Sequence, residues 1–351
     1  MRWTVSTAVG VLLLAASDAH SFEAADDLPY GIFQAERPIT RRHRGDWEPP
    51  DSVIFTFEQS WSEELAAMVG IASAETHVRL LVDPRMATGD DAHAWMRAHS
   101  LPAKDIGIIF AELDTPWVRD YGPLQVFDRK EAVWLDPIYG GQRPLDDVVP
   151  LTLSLELDQK LEALPIRFDG GAIMSNGAGL CASTHEFVEM SGASIDEALL
   201  EQLGCPVMVL LPALVGERTH HVDMFAQFLA LDVVAVAQVD PKQSPLDAAR
   251  MDAAAAALID AASRLGFKLD VVRVPLPYLG HGEYRTYLNG LPLQNTYLAP
   301  SYSDVDAAIE RRAFEALSRA MPRMNVVGVP ADPMIRVLGA LHCVSLGLSV
   351  F

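Results

Sequence analysis

The segment IGIIFAELDTPWVRDYGPLQVFDRKEAVWL, residues 106–135, contains the pattern that decides the fold class. An apolar run at residues 106–110 has the length and composition of a buried strand, and a polar stretch follows it. Residues 124–127 and 132–135 are two further strand candidates. The polar turn at residues 128–131 predicts that these two strands form a hairpin. The polar stretch before the hairpin therefore lies where a strand ends, at the rim of a sheet.

Strand-like and helix-like segments alternate from there to the end of the chain, which predicts one α/β domain over residues 51–351. Hairpins and crossovers are mixed, without the strict βαβ rhythm of a doubly wound sheet. Ser60 with Glu63, and Ser244 before Pro245, are typical of helix N-termini. Further strands are predicted at residues 78–82, 180–183, 228–239, 269–274, 296–299 and 326–329, and helices at residues 60–69, 195–203, 245–265 and 304–320.

The composition excludes several classes of protein. Half of the 351 residues are hydrophobic and 21% are charged, which excludes a disordered chain, a collagen and a coiled-coil rod. The formal net charge of −20 and the lack of a Lys/Arg-rich run argue against a nucleic-acid partner. No Gly-x-Gly-x-x-Gly follows a strand and the sequence has no Walker loop, so nucleotide binding is not predicted.

The N-terminus has the pattern of an export signal. A short basic region precedes an apolar run at residues 8–16, and small residues surround candidate cleavage points at Ala19 and Ser21. We therefore predict that residues 1–21 are a signal peptide and that the mature protein is periplasmic or secreted. Residues 22–50, rich in Pro, Arg and acidic residues, are predicted to form a loosely ordered lead-in. No later stretch has the roughly 18 apolar residues of a membrane-spanning helix, so no membrane span is predicted.

The chain has three cysteines, Cys181, Cys205 and Cys343. In an oxidising compartment disulfides consume cysteines in pairs, so at least one is left over. If Cys181 pairs with Cys205, the free thiol is Cys343, near the C-terminus. A lone cysteine is most often a buried structural residue, so a reactive role for Cys343 depends on companion residues.

Polar residues after one strand and in one tight turn are candidates for a binding site. Trp117, Arg119 and Asp120 come between the strand at residues 106–110 and a Gly-Pro turn, which places an aromatic ring and a carboxylate at the rim. The alternative is that Arg119 and Asp120 form a structural pair and that Trp117 belongs to the core. Asp169 precedes paired glycines, which allow a close backbone approach but also occur in ordinary turns.

The segment Thr219-His-His-Val-Asp-Met-Phe225 is more informative. If it is extended, His221 and Asp223 share one face while His220 points away. An imidazole beside a carboxylate suits a general acid/base next to a cation-binding group. Zinc binding is the alternative, but no second His/Cys cluster with metal-ligand spacing accompanies this segment, and no metal is predicted.

The last polar segment is Gly339-Ala-Leu-His-Cys343. If it is extended, alternation of side chains means that His342 cannot face the side that Cys343 faces. The base that acts with Cys343 must then come from elsewhere in the chain, and His221 is the natural candidate.

Together, these segments resemble a known family. The Trp-x-Arg-Asp-x-Gly-Pro motif, the Gly-Gly turn, the His-x-Asp pair and the His-Cys near the C-terminus occur in the order found in bacterial agmatine deiminases and Porphyromonas-type peptidyl-arginine deiminases. The resemblance covers roughly residues 50–351. It implies the pentein fold of the guanidino-group-modifying superfamily, a five-bladed α/β propeller of ββαβ units around a central site.

The resemblance also implies a role for each matching residue, with two departures. Asp169 stands where the family usually has Glu, and only Gly339 remains of a glycine run before His-Cys. No metal or organic cofactor is implied, and the partner is a small guanidino substrate or an arginine-containing peptide. The implied catalytic residues are Cys343 as nucleophile, His221 as general acid/base and Asp169 as the residue that orients the histidine. The implied substrate-binding residues are Asp120 and Asp223 as a guanidinium clamp, Asn289 as an asparagine at the site, Trp117 as the aromatic wall, and Arg143 for a terminal carboxylate.

The implied reaction is hydrolysis of a guanidinium to a ureido group and ammonia through a covalent Cys343 thiouronium. Agmatine, free arginine and peptidyl-arginine share the guanidinium, and the choice among them stays open, as does the oligomeric state. An amidinotransferase of the same fold and a catalytically silent secreted binding protein are the alternatives. A papain-like peptidase is disfavoured because its cysteine lies near the mature N-terminus.

Overall fold

Five sheets of three or four strands, with one two-stranded ribbon, make up the computed structural model, which describes residues 31–350. We call the five sheets blades. The predicted signal peptide lies outside the described residues. Within them, no helix is both long and apolar enough to cross a membrane.

Each blade repeats the same unit, in which two antiparallel strands are followed by a helix and a third strand parallel to the second. In the second blade, Leu124–Asp128 pairs antiparallel with Glu131–Ile138, as the hairpin prediction requires. The helix Val149–Glu156 then leads to Leu161–Arg167, which pairs parallel with the second strand. The ββαβ units implied by the resemblance are therefore present.

Within residues 31–350, three of the blades have four strands and two have three. In spatial order, the first blade contains Ser345–Leu348, Ser52–Thr56, His77–Val82 and Ile106–Phe110; the second contains Arg41–His43, Leu124–Asp128, Glu131–Ile138 and Leu161–Arg167; the third contains Gly31–Gln34, Val207–Leu211, Leu180–Thr184 and Met174–Ser175. The fourth contains Ala226–Ala230, Val233–Gln238 and Asp270–Pro275, the fifth contains Leu291–Pro292, Thr296–Ser301 and Asn325–Pro330, and the ribbon is formed by Tyr278–Gly280 and Glu283–Tyr284.

The helices lie between the strands of these units. The α-helices are Ser62–Ala72, Gly89–Ala98, Val118–Tyr121, Val149–Glu156, His185–Ser191, Glu197–Leu203, Pro245–Arg264, Ala307–Ala320 and Asp332–Ile335, and the 3₁₀ turns are Gln59–Trp61, Asp146–Val148, Gly170–Ala172 and Val222–Met224. The predicted Ser244 cap is confirmed, because its side chain accepts a hydrogen bond from the Asp247 amide.

The first blade is closed by the end of the chain. Ser345–Leu348 pairs antiparallel with Ser52–Thr56, so the C-terminal strand supplies the first strand of a unit whose other strands lie near the N-terminus. All residues of both strands are buried. This pairing places the turn that carries Cys343 next to the segments that precede the second and fifth blades, where Arg119 and Asn289 form backbone hydrogen bonds with it.

Three local predictions are wrong. Residues 228–239 are not one strand but a hairpin of Ala226–Ala230 and Val233–Gln238, because the apolar run continues through both buried strands and only Asp232 marks the turn. The helix predicted at residue 60 begins at Ser62, after a 3₁₀ turn whose Ser60 amide bonds to the Glu58 side chain.

The third wrong prediction is the loosely ordered lead-in, as far as residues 31–50 are concerned. Gly31–Gln34 pairs with the third blade and Arg41–His43 pairs with the second. These are short strands with little apolar alternation, which is why composition pointed to a loop. The segment after them contacts the second and third blades, because the Arg44 amide donates to the Gln125 carbonyl and the Asp46 amide donates to the Ser175 carbonyl.

A disulfide joins Cys181 and Cys205 and leaves Cys343 as the free thiol. Cys181 lies in the buried strand Leu180–Thr184, and Cys205 precedes the neighbouring parallel strand. The disulfide therefore links the two ends of the helical segment that connects these strands in the third blade. A link across 24 residues restricts the unfolded chain.

We expect the double variant Cys181→Ala/Cys205→Ala to lose about 3 kcal/mol of unfolding free energy, the value expected for a loop of this size. Urea titration of the wild type with and without reductant, beside the double variant, measures the loss. Reductant should leave the double variant unchanged, and a wild type whose midpoint ignores reductant would contradict the stabilising role.

Candidate active site

Except for Arg143, which lies between the second and third strands of a unit, the candidate residues share one position: each lies just before the first strand of a ββαβ unit. Cys343 precedes the first strand of the first blade, Asp120 that of the second, Asp169 that of the third, His221 and Asp223 that of the fourth, and Asn289 that of the fifth. Residues scattered over most of the sequence therefore meet because the unit is repeated around a centre.

A buried imidazole lies between two buried carboxylates. The Nδ1 atom of His221 is 3.5 Å from Asp120 Oδ1, and its Nε2 atom is 3.3 Å from Asp169 Oδ2. Burial opposes a charge on His221, but the carboxylates of Asp120, Asp169 and Asp223 outweigh it and raise the pKa of His221 to about 10. The His221 ring is therefore an imidazolium at neutral pH. Asp169, shorter than the Glu of the family, nevertheless reaches the ring.

The glycine at position 171 shows how closely these groups converge. A Cβ atom on Gly171 would lie 2.6 Å from Asp120 Oδ1, 2.7 Å from His221 Nδ1 and 3.1 Å from Asp223 Oδ2. One point in space is thus bordered by both clamp candidates and the imidazole. The Gly171 amide also donates a hydrogen bond to Asp120 Oδ1. Any other residue at this position would push the three polar groups apart.

Asp120 is not the structural partner of Arg119. Its contacts are His221 and the Gly171 amide, and among the described residues it forms no ion pair with Arg119. Burial, together with the neighbouring Asp223 and Asp169 and against the attraction of His221, raises the pKa of Asp120 to about 7. Asp120 lies in a short helical turn, Val118–Tyr121, and Trp117 is the N-cap residue of that turn.

Asp223 has a partner that the sequence analysis left out of the site. His342 Nδ1 lies 2.7 Å from Asp223 Oδ2, while Asp223 Oδ1 is buried with no hydrogen-bond partner among the described residues. Burial, with the nearby Arg119, lowers the pKa of His342 to about 4. The neutral ring must therefore donate its Nδ1–H to the carboxylate, which leaves Oδ1 free for a cation.

The backbone conformation shows why side chains do not alternate between two faces in the segments of His221 and His342, as they would in extended strands. Residues 222–224 form a 3₁₀ turn and His220 has φ +57°, so this segment is not extended. The Glu217 carboxylate holds it in place by accepting the amides of Thr219 and His220. His342 and its neighbours also lie in a turn, in which the Ser345 amide donates to the His342 carbonyl.

Cys343 is buried beside Asn289. The Asn289 Oδ1 atom lies 3.4 Å from both the amide nitrogen and the Sγ of Cys343, and its Nδ2 is 3.5 Å from the Asp223 carbonyl oxygen. The Cys343 carbonyl accepts the Arg119 amide, which ties the thiol turn to the turn of Asp120. Burial and the carboxylates of Asp223 and Asp120 raise the pKa of the Cys343 thiol well above its usual value.

Trp117 forms a wall at the other side of the thiol turn. It packs against Trp61, with ring centroids 6.0 Å apart. A Cβ atom on Gly339 would lie 2.4 Å from the Trp117 ring, so the single glycine that remains of the family's run is the one whose space the indole fills.

Arg143 is engaged inside the protein. Its Nη1 donates to the Tyr139 hydroxyl at 2.5 Å, and its guanidinium lies 5.5 Å from the centre of the same ring. Burial and the carboxylates of Asp120 and Asp169 raise the pKa of Tyr139. Arg143 therefore contacts the edge of the site through Tyr139, and no contact joins it to the thiol or the imidazole among the described residues.

The arrangement brings together a buried thiol, a buried imidazolium and three buried carboxylates. Carboxylates with free oxygens bind a cation, the thiol supplies a nucleophile, and the imidazolium supplies a proton. In the part of the chain that the structure describes, no group of three or more His, Cys, Asp or Glu side chains is arranged to hold a metal ion.

The ββαβ units around this site define a pentein fold, and solved structures confirm it. Agmatine deiminase of C. jejuni superposes with a TM-score of 0.71 at 20% identity, covering 88% of this chain and 96% of that one. Agmatine deiminase of Enterococcus faecalis superposes with a TM-score of 0.74 at 20% identity, covering 89% of this chain and 96% of that one.

The family follows from the sequence. The model of the Porphyromonas-type peptidyl-arginine deiminase family matches residues 42–348, and the chain belongs to this family. Agmatine deiminase of Pseudomonas aeruginosa (strain LESB58) is 27% identical over 285 residues, which cover 69% of this chain and 76% of that protein. The family predicted from the four motifs is thereby confirmed.

The raised pKa of Cys343 predicts a characteristic pH profile. In the free protein, iodoacetamide should alkylate this only free thiol slowly at neutral pH, and the rate should rise about tenfold per pH unit to beyond pH 9. Asp223→Asn removes a negative neighbour, so the profile should shift to lower pH. Mass spectrometry of quenched samples measures the rate, with the exposed Asp252→Asn as matched control.

A fast alkylation rate that does not change between neutral and alkaline pH would contradict the assigned environment. So would an Asp223→Asn profile that coincides with that of Asp252→Asn.

Proposed function

We propose that this protein is a deiminase that hydrolyses the guanidinium of a small arginine-derived compound, of the agmatine type, to a ureido group and ammonia. The observation that carries the proposal is the convergence of the His221 imidazolium with the carboxylates of Asp120 and Asp223 around one point, beside the turn of a free thiol. A guanidinium is a planar cation with N–H groups on its edges, which suits two buried carboxylates close to each other, one of which, Asp223, has an oxygen without a partner among the described residues.

The substrate cation is held by Asp120 and Asp223. The free Oδ1 of Asp223 accepts a guanidinium N–H while His342 keeps Oδ2 occupied and fixes the plane of the carboxylate. Each charge-assisted hydrogen bond contributes roughly 1.5–3 kcal/mol, so two carboxylates suffice for micromolar to millimolar binding. The enclosed position of both carboxylates excludes water that would compete for these bonds.

Binding also activates the thiol. In the free protein the carboxylates of Asp120 and Asp223 disfavour a thiolate at Cys343. A guanidinium between them neutralises this charge and adds a cation beside the sulfur, so the pKa of the thiol falls when the substrate arrives. The thiol is thereby reactive chiefly when the site is occupied.

The bonds change in two steps. Once the bound guanidinium has lowered the thiol pKa, the Cys343 proton is lost to solvent. The thiolate adds to the guanidinium carbon, His221 gives its proton to one nitrogen, and the C–N bond breaks to release ammonia and leave a thiouronium on sulfur. Neutral His221 then takes a proton from water and the hydroxide adds to the same carbon. The C–S bond breaks to release the thiolate, and the hydroxyl proton of the adduct passes to solvent as the ureido carbonyl forms. Asp169 keeps the His221 ring in place throughout, through its 3.3 Å contact with Nε2.

The charge of the chain and the named relatives support a substrate without a terminal carboxylate. Arg143 does not decide this choice, because only its Nη1 is engaged, by the Tyr139 hydroxyl. Agmatine has an amine in place of the carboxylate of arginine, and the acidic chain, with a net charge of −20, favours cationic substrates. The relatives from Pseudomonas aeruginosa and Enterococcus faecalis are agmatine deiminases by name.

The test is a colorimetric ureido assay of the full chain on agmatine, free arginine and an arginine-containing peptide. We expect the highest kcat/KM on agmatine, a loss of roughly 10⁴-fold or more in Cys343→Ala, and a loss of about 10²–10⁴-fold in kcat in His221→Asn. The exposed His185→Asn is the matched control and should keep wild-type turnover. Acid-quenched wild-type samples should contain a protein adduct with the mass of the substrate minus ammonia.

Each other outcome contradicts a named part of the proposal. Preference for the peptide would overturn the substrate class, and wild-type turnover by Cys343→Ala would overturn the nucleophile. Transfer to an added amine would indicate an amidinotransferase, and loss in EDTA with rescue by zinc would indicate a metal enzyme. Silence on all three substrates would favour a binding protein.

We further propose that the protein is exported. The basic and apolar pattern of residues 1–21 supports this, and so does the Cys181–Cys205 disulfide, since such bonds persist in oxidising compartments. N-terminal sequencing of protein recovered from the periplasm or medium should begin near residue 22. An intact N-terminus on protein confined to the cytoplasm would contradict export.

A further inference from the structure

Glu217 is a buried carboxylate that none of the proposed reaction steps uses. It precedes His221 by four residues, and only 4% of its surface is exposed. All of its hydrogen bonds among the described residues come from uncharged groups of the turn that follows it. A buried carboxylate loses its hydration, so the hydrogen bonds that replace water show which groups it holds in place.

The carboxylate closes the turn of residues 217–221 by accepting three donors. Its Oε2 accepts the His220 amide at 2.7 Å and the Thr219 hydroxyl at 2.9 Å, and its Oε1 accepts the Thr219 amide at 3.0 Å. The Thr219 hydroxyl oxygen in turn accepts the His221 amide at 3.2 Å. An ionised carboxylate offers only acceptors, which suits a turn whose donors all point toward it.

This turn holds His220 in the left-handed backbone conformation, with φ +57°. Such a conformation is unfavourable for a residue with a Cβ atom, so it requires contacts that fix it. Glu217 supplies them on the amide side, and the Thr184 hydroxyl of the third blade donates to the His220 carbonyl. The Nδ1 atom of His220 is buried without a hydrogen-bond partner among the described residues, so these contacts fix the backbone of His220 and not its ring.

The position of the His221 ring follows from this turn. Its Nδ1 lies 3.5 Å from Asp120 Oδ1 and its Nε2 lies 3.3 Å from Asp169 Oδ2. Both distances are long for a hydrogen bond, so a displacement of the ring by about 1 Å would lose at least one of the two contacts. The accuracy of the turn therefore decides whether the imidazole stays between its two carboxylates.

The loop that carries Glu217 is anchored outside the site. Asp247, in the first turn of the helix Pro245–Arg264, is buried and accepts the Val215 amide on Oδ1 at 2.8 Å. The Tyr284 hydroxyl, from the two-stranded ribbon, donates to the Val215 carbonyl at 2.7 Å. Glu217 thus acts on the turn from a fixed position.

We propose that Glu217 is a positioning residue, which holds the left-handed turn at His220 and thereby keeps the His221 ring between Asp120 and Asp169. This inference rests on the proposed role of His221 as general acid/base. It adds a residue that contacts neither the substrate nor the thiol and acts only through the histidine.

The substrate clamp does not depend on Glu217 in the same way. Asp223 is held separately, since His342 lies 2.7 Å from its carboxylate and the Asn289 side chain lies 3.5 Å from its carbonyl oxygen. Asp120 accepts the Gly171 amide. Loss of Glu217 should therefore displace the acid/base group more than the groups that bind the substrate.

The direct test is a pH titration of the His221 ring by NMR, in the full chain with isotope-labelled histidine and without substrate. The wild-type ring should titrate with a pKa of about 10. Glu217→Gln should lower this pKa by roughly 1 or more, because glutamine offers one oxygen and a donor in place of the other, and the ring moves away from its carboxylates. His221→Asn identifies the signal. Glu283→Gln, exposed in the same cleft, is the matched control and should titrate like the wild type.

Two substitutions of His220 separate the turn from the imidazole at that position. His220→Gly should leave the titration of His221 unchanged, because glycine adopts a positive φ freely. His220→Val should lower the pKa of His221 as Glu217→Gln does, because a β-branched side chain strongly disfavours this conformation. If Glu217→Gln does not fold, the contrast between these two variants still decides.

The ureido assay adds a kinetic readout. Glu217→Gln should lower kcat by about 10–10²-fold and leave KM within about twofold of the wild type, as expected for a misplaced acid/base group beside an intact clamp. A raised KM with unchanged kcat would place Glu217 in substrate binding and overturn the inference. So would a Glu217→Gln variant that titrates like the wild type, or equal effects of His220→Gly and His220→Val. Silence of the wild type on every substrate would contradict the proposed function, while the titration, which involves no turnover, would still test the positioning of His221.

Discussion

The pairing of the last strand with the first buried strand, Ser345–Leu348 against Ser52–Thr56, is the constraint on which the site depends. A repeated ββαβ unit brings the loops before its first strands toward a common centre only if the repeat closes on itself. In this chain closure pairs two strands that are almost 300 positions apart in the sequence, and both strands are buried along their whole length. Cys343 lies just ahead of the closing strand, so the nucleophile candidate enters the site only when the fold is complete.

Closure has an electrostatic consequence. Asp120, Asp169 and Asp223 are buried around one imidazole, and the proton that His221 retains offsets part of the cost of gathering these charges. Burial, with the carboxylates of Asp223 and Asp120, holds the thiol in its neutral form. A bound guanidinium would offset the negative charge of the carboxylates and would also make the Cys343 thiolate more favourable. The site without substrate therefore favours a cationic ligand over a neutral one.

Much of this could be predicted from the sequence. The hairpin at residues 124–135 and the Ser244 cap follow from local patterns, and the four motifs identified the family before any geometry was known. His342 was left out because alternation was applied to a segment that is in fact a turn. No local sequence pattern predicts the closeness of Asp120, His221 and Asp223 to Gly171, because these residues lie far apart in the chain. The hydrogen bond from Arg143 to the Tyr139 hydroxyl depends on the conformation of the loop between them, which no pattern in the sequence indicates.

The most direct measurement of the central claim is a crystal structure of the Cys343→Ala variant with agmatine. The account predicts a guanidinium whose N–H edges lie within hydrogen-bond distance of Asp120 and of Asp223 Oδ1, with its carbon facing position 343 and His342 still on Oδ2. A guanidinium bound elsewhere, or one whose carbon faces away from position 343, would contradict it.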